Sequence, residues 1–257
     1  MMPPEKLANQ PQVPVSLQQA SVLGYPLAAV TMAQAVDWCL AHVALAAPSP
    51  ALLVTLNPEI VVQAEQDSAL AEALRQAQLT VADGVGVVWA ARRAGLTIPG
   101  RVPGVELMQA LLGRGGSRLR VYFLGAKPGV AARAAQVAQA RYGTVIAGVQ
   151  HGYFQRDTEL PTICQAIAAS RADVLFAGLG PGQEALLHSQ RQALQVPLLM
   201  GVGGSLDVLA GEVQRTPVWT HRLGLEWAWR IGSDPKRWHR FPRLLRFVAL
   251  VRRHRHE

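Results

Sequence analysis

Short apolar runs that alternate with segments of helical spacing constrain this chain more than any other feature. Leu52-Leu53-Val54-Thr55, Leu79-Thr80-Val81, Val121-Tyr122-Phe123-Leu124, residues 144–149, Val174-Leu175-Phe176-Ala177 and Leu198-Leu199-Met200 read as strands. Helices are expected from Pro58, which suits a first helical turn, and over 69–77, 85–94, 104–113, 128–141 and 158–169, with another after Pro181. Apolar strands alternating with helices predict an α/β fold: a mostly parallel sheet with helices on both faces. Ligands of such sheets bind beyond the carboxyl ends of the strands. Thr55, Asn57, Asp83, Gly125, residues 178–183 and residues 201–205 all fall at that edge.

Charge divides the chain differently. The net charge is +8, and residues 211–257 hold eleven basic side chains against four acidic ones. Four of the six tryptophans, Trp219, Trp227, Trp229 and Trp238, lie in the same stretch. Three regions follow: a loose Pro/Gln-rich leader over 1–19, a core over 20–210 and a basic, Trp/Arg-rich appendage over 211–257. Half of the residues are hydrophobic and 16% are charged, enough apolar side chain for a real core and the wrong balance for a disordered chain. Cys39 and Cys164 stand far apart among apolar neighbours, as buried thiols do in a reducing cytosol. Neither a signal peptide nor a spanning helix is expected.

Asp83 is the sharpest candidate for chemistry. It follows a strand and precedes Gly84-Val85-Gly86, where glycines admit a ligand and a helix start favours anions. Its carboxylate suits a general base toward a hydroxyl, or else a cap for the following helix. Thr55, Asn57 and Glu59 suit hydrogen bonds to a sugar, or else a cap ahead of Pro58. The loop 178–184, which ends in Gln183 and Glu184, is interrupted by Pro181 and lacks the dinucleotide fingerprint. It reads as a phosphate or nucleoside contact. Gly201-Val202-Gly203-Gly204-Ser205-Leu206-Asp207 offers backbone N–H groups to a diphosphate, or else tight strand–helix packing. The sequence contains no Asp-x-Asp pair to chelate a metal to a nucleotide-sugar, so neither metal nor cofactor is expected. A departing diphosphate would then need arginines, which Arg101 and the appendage supply.

Within the appendage, helical spacing puts Phe241, Leu244, Leu245, Phe247, Val248 and Val251 on one arc, opposite Arg243, Arg246 and Arg253. A basic amphipathic helix with nearby tryptophans suits an anionic membrane surface. Nucleic-acid binding, and simple packing on the core, are the competing readings; the large apolar arc exceeds what tracking phosphates needs, and no nucleic acid is expected.

Several motifs, taken in order and spacing, resemble the WecG/TagA/CpsF family of bacterial glycosyltransferases over about residues 20–245. They are Thr55-Leu56-Asn57-Pro58-Glu59, Ala82-Asp83-Gly84-Val85-Gly86-Val87, Arg101-Val102-Pro103-Gly104, the run 178–184, Gly201-Val202-Gly203-Gly204, Arg215-Thr216-Pro217 and Leu223-Gly224-Leu225-Glu226-Trp227. The resemblance implies a Rossmann-like core and inverting, metal-free transfer of a sugar such as N-acetylmannosamine. The donor is a UDP-sugar and the acceptor a sugar on undecaprenyl diphosphate. It implies a peripheral enzyme at the cytoplasmic face of the inner membrane, feeding cell-surface polysaccharide synthesis. Asp83 matches the family's base, and Thr55, Asn57, Arg101 and Gln183 match positions lining the pocket. Arg230, Arg237 and Arg240 match arginines facing the diphosphate. Glu184, Gly203 and Asp207 complete the expected substrate-binding set. The chain departs from the family pattern at Gly182, where Lys is usual, and at Leu186 and Leu187, where an aromatic is common. These departures bear on sugar or nucleotide preference. A nucleotide-dependent oxidoreductase and a non-catalytic scaffold for nucleotide-sugars or nucleic acid remain rival readings, and a homo-oligomer is left open.

Overall fold

A computed structural model describes residues 19–213 and 241–253. The described chain opens with a hairpin of β1 (Gln19–Val22) and β2 (Tyr25–Ala28). Leu23 and Gly24 both take positive φ in its two-residue turn, the twist that tight hairpins favour. Helix α1 (Met32–Val43) starts at a capping box in which Thr31 and Gln34 satisfy each other's backbone N–H groups. The core then alternates: β3 (Ala51–Leu56), α2 (Pro58–Ala64), α3 (Ser68–Arg75), β4 (Leu79–Ala82), α4 (Val85–Arg93), α5 (Gly104–Gly115) and β5 (Arg120–Gly125). It continues through α6 (Val130–Tyr142), β6 (Val145–Gln150), α7 (Arg156–Ala169), β7 (Val174–Gly178), α8 (Gln183–Leu194), β8 (Leu198–Gly201) and α9 (Ser205–Leu209). A last helix, α10, spans Phe241–Arg253.

Six strands form one parallel sheet in the order β4-β3-β8-β7-β5-β6. The alternation of side chains along each strand splits the interior into two cores. Leu52, Val54 and Leu56 join α2, α3, α4 and the hairpin on one face. Leu53, Val121 and Phe123 join α1, α5 and α6 on the other. The α/β architecture expected from the sequence is therefore the one observed. Helix α6 starts at Val130, two residues later than its spacing predicts, because Gly129 sits in the left-handed region at φ +85°. Cys39 and Cys164 are both buried and free, and burial pushes both thiols above their ordinary range.

All six strands run parallel, and the strand order switches between β3 and β8: β4 lies outside β3, while β8 arrives on its inner side. Such a switch point is where an open sheet leaves room for a ligand. Nearby, glycines let the strand ends touch backbone to backbone. A Cβ on Gly125, at φ +127°, would stand 2.3 Å from the Gly178 carbonyl oxygen, and one on Gly178 would stand 2.6 Å from that of Gly203.

Helix α10 packs on α2. Phe247 and Val251 are buried in the first core, and Leu250 lies partly against it. Arg243 pairs with Glu59 at 2.5 Å and Arg246 with Glu65 at 3.1 Å. Packing on the core is thus the arrangement for this stripe of the expected arc, whereas Leu245 points outward and is 57% exposed. Among the described residues no helix is long and apolar enough to cross a membrane.

Candidate active site

The site is assembled at the carboxyl edge by three segments that are distant in sequence. Beyond the end of β4, Asp83 still donates its backbone N–H to Leu56 at 2.8 Å, which extends the ladder along β3. Gly84, at φ +91°, then turns the chain into α4, and no side chain caps that helix. The capping reading of Asp83 fails for α4. Its carboxylate Oδ2 instead accepts the Gly104 N–H, at 3.3 Å, from the first turn of α5. An N–H at a helix N-terminus attracts negative charge and orients the carboxylate.

Val102 donates to the Ala82 carbonyl at 2.7 Å and so stitches residues 101–103 beside the end of β4. Half-buried Arg101 directly precedes Val102 and is thereby carried to that edge. Gly104 rests on Thr55: a Cβ there would lie 3.0 Å from Thr55 Oγ1 and 3.4 Å from its Cγ2. Thr55, Asp83 and Gly104 are therefore one cluster, with Arg101 three residues before Gly104, and glycine at 104 is what allows α5 to reach it. Sequence reasoning identified this motif without seeing that its backbone N–H holds Asp83.

Asn57 does act as a cap. Its Oδ1 accepts N–H groups of Glu59 and Ile60, each at 3.0 Å, at the start of α2. Its amide nitrogen is the part left to meet a ligand. Gly86, one turn past Asp83, is covered from two sides: a Cβ there would meet Pro58 Cγ at 2.7 Å and Phe247 Cε1 at 3.4 Å. The docked α10 helix thereby reaches the turn that carries Asp83.

The second cluster lies over β8. Gln183 and Glu184 open α8 after Gly182, which is left-handed at φ +79°. Both side chains are buried, at 6% and 5% exposure. Gln183 Oε1 accepts the Leu179 N–H at 3.2 Å, and its Nε2 donates to Glu184 Oε1 at 2.9 Å. Burial pushes the Glu184 carboxyl above its ordinary range, against the smaller opposing pull of the Gln183 hydrogen bond. Gly203 takes φ +50° and leads to α9, where half-buried Asp207 sits in the first turn.

Adjacent strands stand about 4.8 Å apart, so the end of β4 is about 10 Å from the end of β8 and about 14 Å from that of β7. Asp83 and Gln183 therefore stand at separate points along the edge. Arg230, Arg237 and Arg240 lie outside the described residues. Among the described residues no group of three His, Cys, Asp or Glu side chains is gathered as a metal site would be.

Comparison with known proteins identifies the family. The model of the glycosyl transferase WecG/TagA/CpsF family matches residues 20–257. An N-acetylglucosaminyldiphosphoundecaprenol N-acetyl-beta-D-mannosaminyltransferase of Bacillus spizizenii is 34% identical over 207 residues, 79% of each chain. A protein of the same name from Staphylococcus aureus strain MW2 is 35% identical over 221 residues, covering 85% of this chain and 86% of its own. Both the clusters at the sheet edge and the basic C-terminal segment fall inside the family match, and the chain belongs to the WecG/TagA/CpsF family of glycosyltransferases.

Proposed function

We propose that the protein transfers an N-acetylmannosamine-like sugar from a UDP-sugar to a sugar carried on a polyprenyl diphosphate, with inversion at the anomeric carbon. The acceptor class follows the names of the relatives from Bacillus spizizenii and Staphylococcus aureus. The observation that carries the reading is the Asp83 carboxylate, held at the carboxyl edge by the Gly104 N–H and not spent on capping α4.

In this reading Asp83 takes the proton of the acceptor hydroxyl. The freed oxygen attacks the anomeric carbon from the face opposite the diphosphate. The bond from that carbon to the diphosphate oxygen breaks, and UDP leaves with the bonding electron pair. Arg101 takes up part of the charge that develops on UDP, together with Arg230, Arg237 and Arg240 of the appendage. Thr55, Asn57 and Gln183 orient the sugars through hydroxyl and amide hydrogen bonds. Gly203, with open space where a Cβ would stand, leaves backbone open to the donor, and Asp207 borders that loop. The appendage and α10 keep the enzyme at the cytoplasmic face of the anionic membrane, where a lipid-linked acceptor is presented.

UDP release tests the reading, with a panel of UDP-sugars offered against a short-chain prenyl-diphosphate-N-acetylglucosamine. The native chain is expected to turn over with one of them. Asp83→Asn retains an oxygen to accept the Gly104 N–H, so it is expected to fold normally while losing about 10²–10⁴-fold in kcat, the worth of a general base. Turnover by Asp83→Asn at the native rate, or no UDP release with any donor, would overturn the assignment.

A further inference from the structure

Glu184 is a buried acid to which the mechanism gives no work. Its position in the first turn of a helix is one where acids normally stay solvated and favour the helix dipole. Here the side chain is folded inward, onto the end of β8. A Cβ on Gly201 would lie 2.7 Å from Glu184 Oε1 and 2.6 Å from Gln183 Nε2, so only glycine leaves a seat for the pair. Among the described residues no Lys or Arg side chain pairs with Glu184; its partner is the amide of Gln183.

That arrangement fixes the polarity of the Gln183 amide. A glutamine amide can be turned either way, and its neighbours decide which. The Leu179 N–H requires an acceptor and receives Oε1; Glu184 accepts the Nε2 donor. Turning the amide over would set a donor against the Leu179 donor. One Nε2–H is taken by Glu184, and the other is the group Gln183 has to offer a ligand oxygen.

We propose that Glu184 is a positioning residue that clamps the Gln183 amide, so that Gln183 presents a hydrogen-bond donor to the sugar-nucleotide at the β7–β8 edge. The substrate half of this inference rests on the reaction proposed above; the clamp itself does not. Any acceptor of the same shape serves, so Glu184→Gln preserves the clamp. Glu184→Met keeps the volume and removes the acceptor. Hydrogen exchange of the Leu179 amide reads the clamp directly, and KM for the UDP-sugar donor reads its consequence.

Glu184→Met is expected to speed Leu179 exchange at least about tenfold and to raise donor KM about five- to tenfold, the worth of one hydrogen bond. Its kcat stays within about twofold of native, since uniform binding is what is lost. Glu184→Gln is expected to match the native chain in both readouts. In a Gln183→Ala background Glu184→Met adds no further KM effect, because the residue it acts through is gone. Unchanged Leu179 exchange in Glu184→Met, equal impairment of Glu184→Gln and Glu184→Met, or a full KM effect in the Gln183→Ala background each overturns the proposal. If the native chain releases no UDP, the enzymatic reading falls, and the Leu179 exchange still decides the clamp.

Discussion

Removing the Phe247 ring should detach α10 from the core while leaving the sheet intact. The helix is held by two kinds of contact, and their magnitudes differ. The Arg243–Glu59 and Arg246–Glu65 pairs keep between 29% and 50% of their side chains exposed, so each is worth at most about 1 kcal/mol. Phe247 is 1% exposed, and replacing a buried phenylalanine by alanine costs about 3–5 kcal/mol. Apolar burial therefore dominates the docking. A 13-residue helix is marginal alone in water, so an undocked α10 should also lose helicity. At tenfold per 1.4 kcal/mol, Phe247→Ala should raise the undocked population by between about a hundredfold and about four-thousandfold. Hydrogen exchange measured on peptides covering 241–253 should show that change, with β3 and β5 unaffected. Arg243→Gln with Arg246→Gln should change exchange by less than the phenylalanine variant does. If the double arginine variant exposed α10 more than Phe247→Ala, the ranking of apolar over ionic contact would be refuted. UDP release should fall in Phe247→Ala as well, because the ring touches the Gly86 turn next to Asp83.

Two further outcomes follow from charge. Burial raises the Glu184 carboxyl above its ordinary value of 4.5, so its contribution to stability is complete below that pH and is lost as pH rises through the raised value. Glu184→Gln cannot ionise, and its Tm should therefore gain on the native Tm as pH rises above 4.5; a difference that stays constant with pH would show that Glu184 does not titrate as a buried acid. Arg252 and Arg253 are exposed at the end of α10. Each arginine near an anionic bilayer is worth about 1 kcal/mol, so replacing both by Gln should weaken binding to phosphatidylglycerol vesicles about twenty- to thirtyfold. Equal co-sedimentation of the two proteins would remove α10 from the membrane contact.

The strand and helix pattern was legible because parallel strands buried on both faces must be apolar throughout, and Gly or Pro falls at or just after each carboxyl end. Strand order was not legible: β3 pairing with β8 joins residues far apart in the chain, and nothing local encodes it. The β1–β2 hairpin went unread because its strands are only four residues each. Helix α1 did carry a signal, Thr31-x-x-Gln34, which marks a capping box. Spacing alone also misjudged α10. The arc drawn from sequence groups Leu245 with Phe247, yet one is exposed and the other buried, because contact with α2 uses a narrower stripe than the helix's full apolar surface. Glu184 was unreadable for a different reason: only the missing side chain at Gly201, on another strand, makes room for a buried acid.

The two clusters at the carboxyl edge differ in what they leave available, and this difference argues for a division of labour. Around Asp83, backbone groups contribute: the Gly104 N–H donates to the carboxylate, and Val102 donates to the Ala82 carbonyl beside it. Backbone donors hold a charged group without competing for its proton, as a base facing a hydroxyl requires. Around Gln183 the amide accepts the Leu179 N–H and donates to the buried Glu184 carboxyl, packed where a Cβ would not fit. Desolvation opposes ionisation of the buried Glu184 carboxyl, which suits the cluster to holding a geometry more than to moving protons. It can fix a direction of hydrogen bonding. The edge thus has a chemical end at β4 and a recognition end at β7–β8, separated by about 10–14 Å. Substitutions at the first should act on kcat and at the second on KM. A Gln183→Ala variant that lost kcat as deeply as Asp83→Asn would contradict that division.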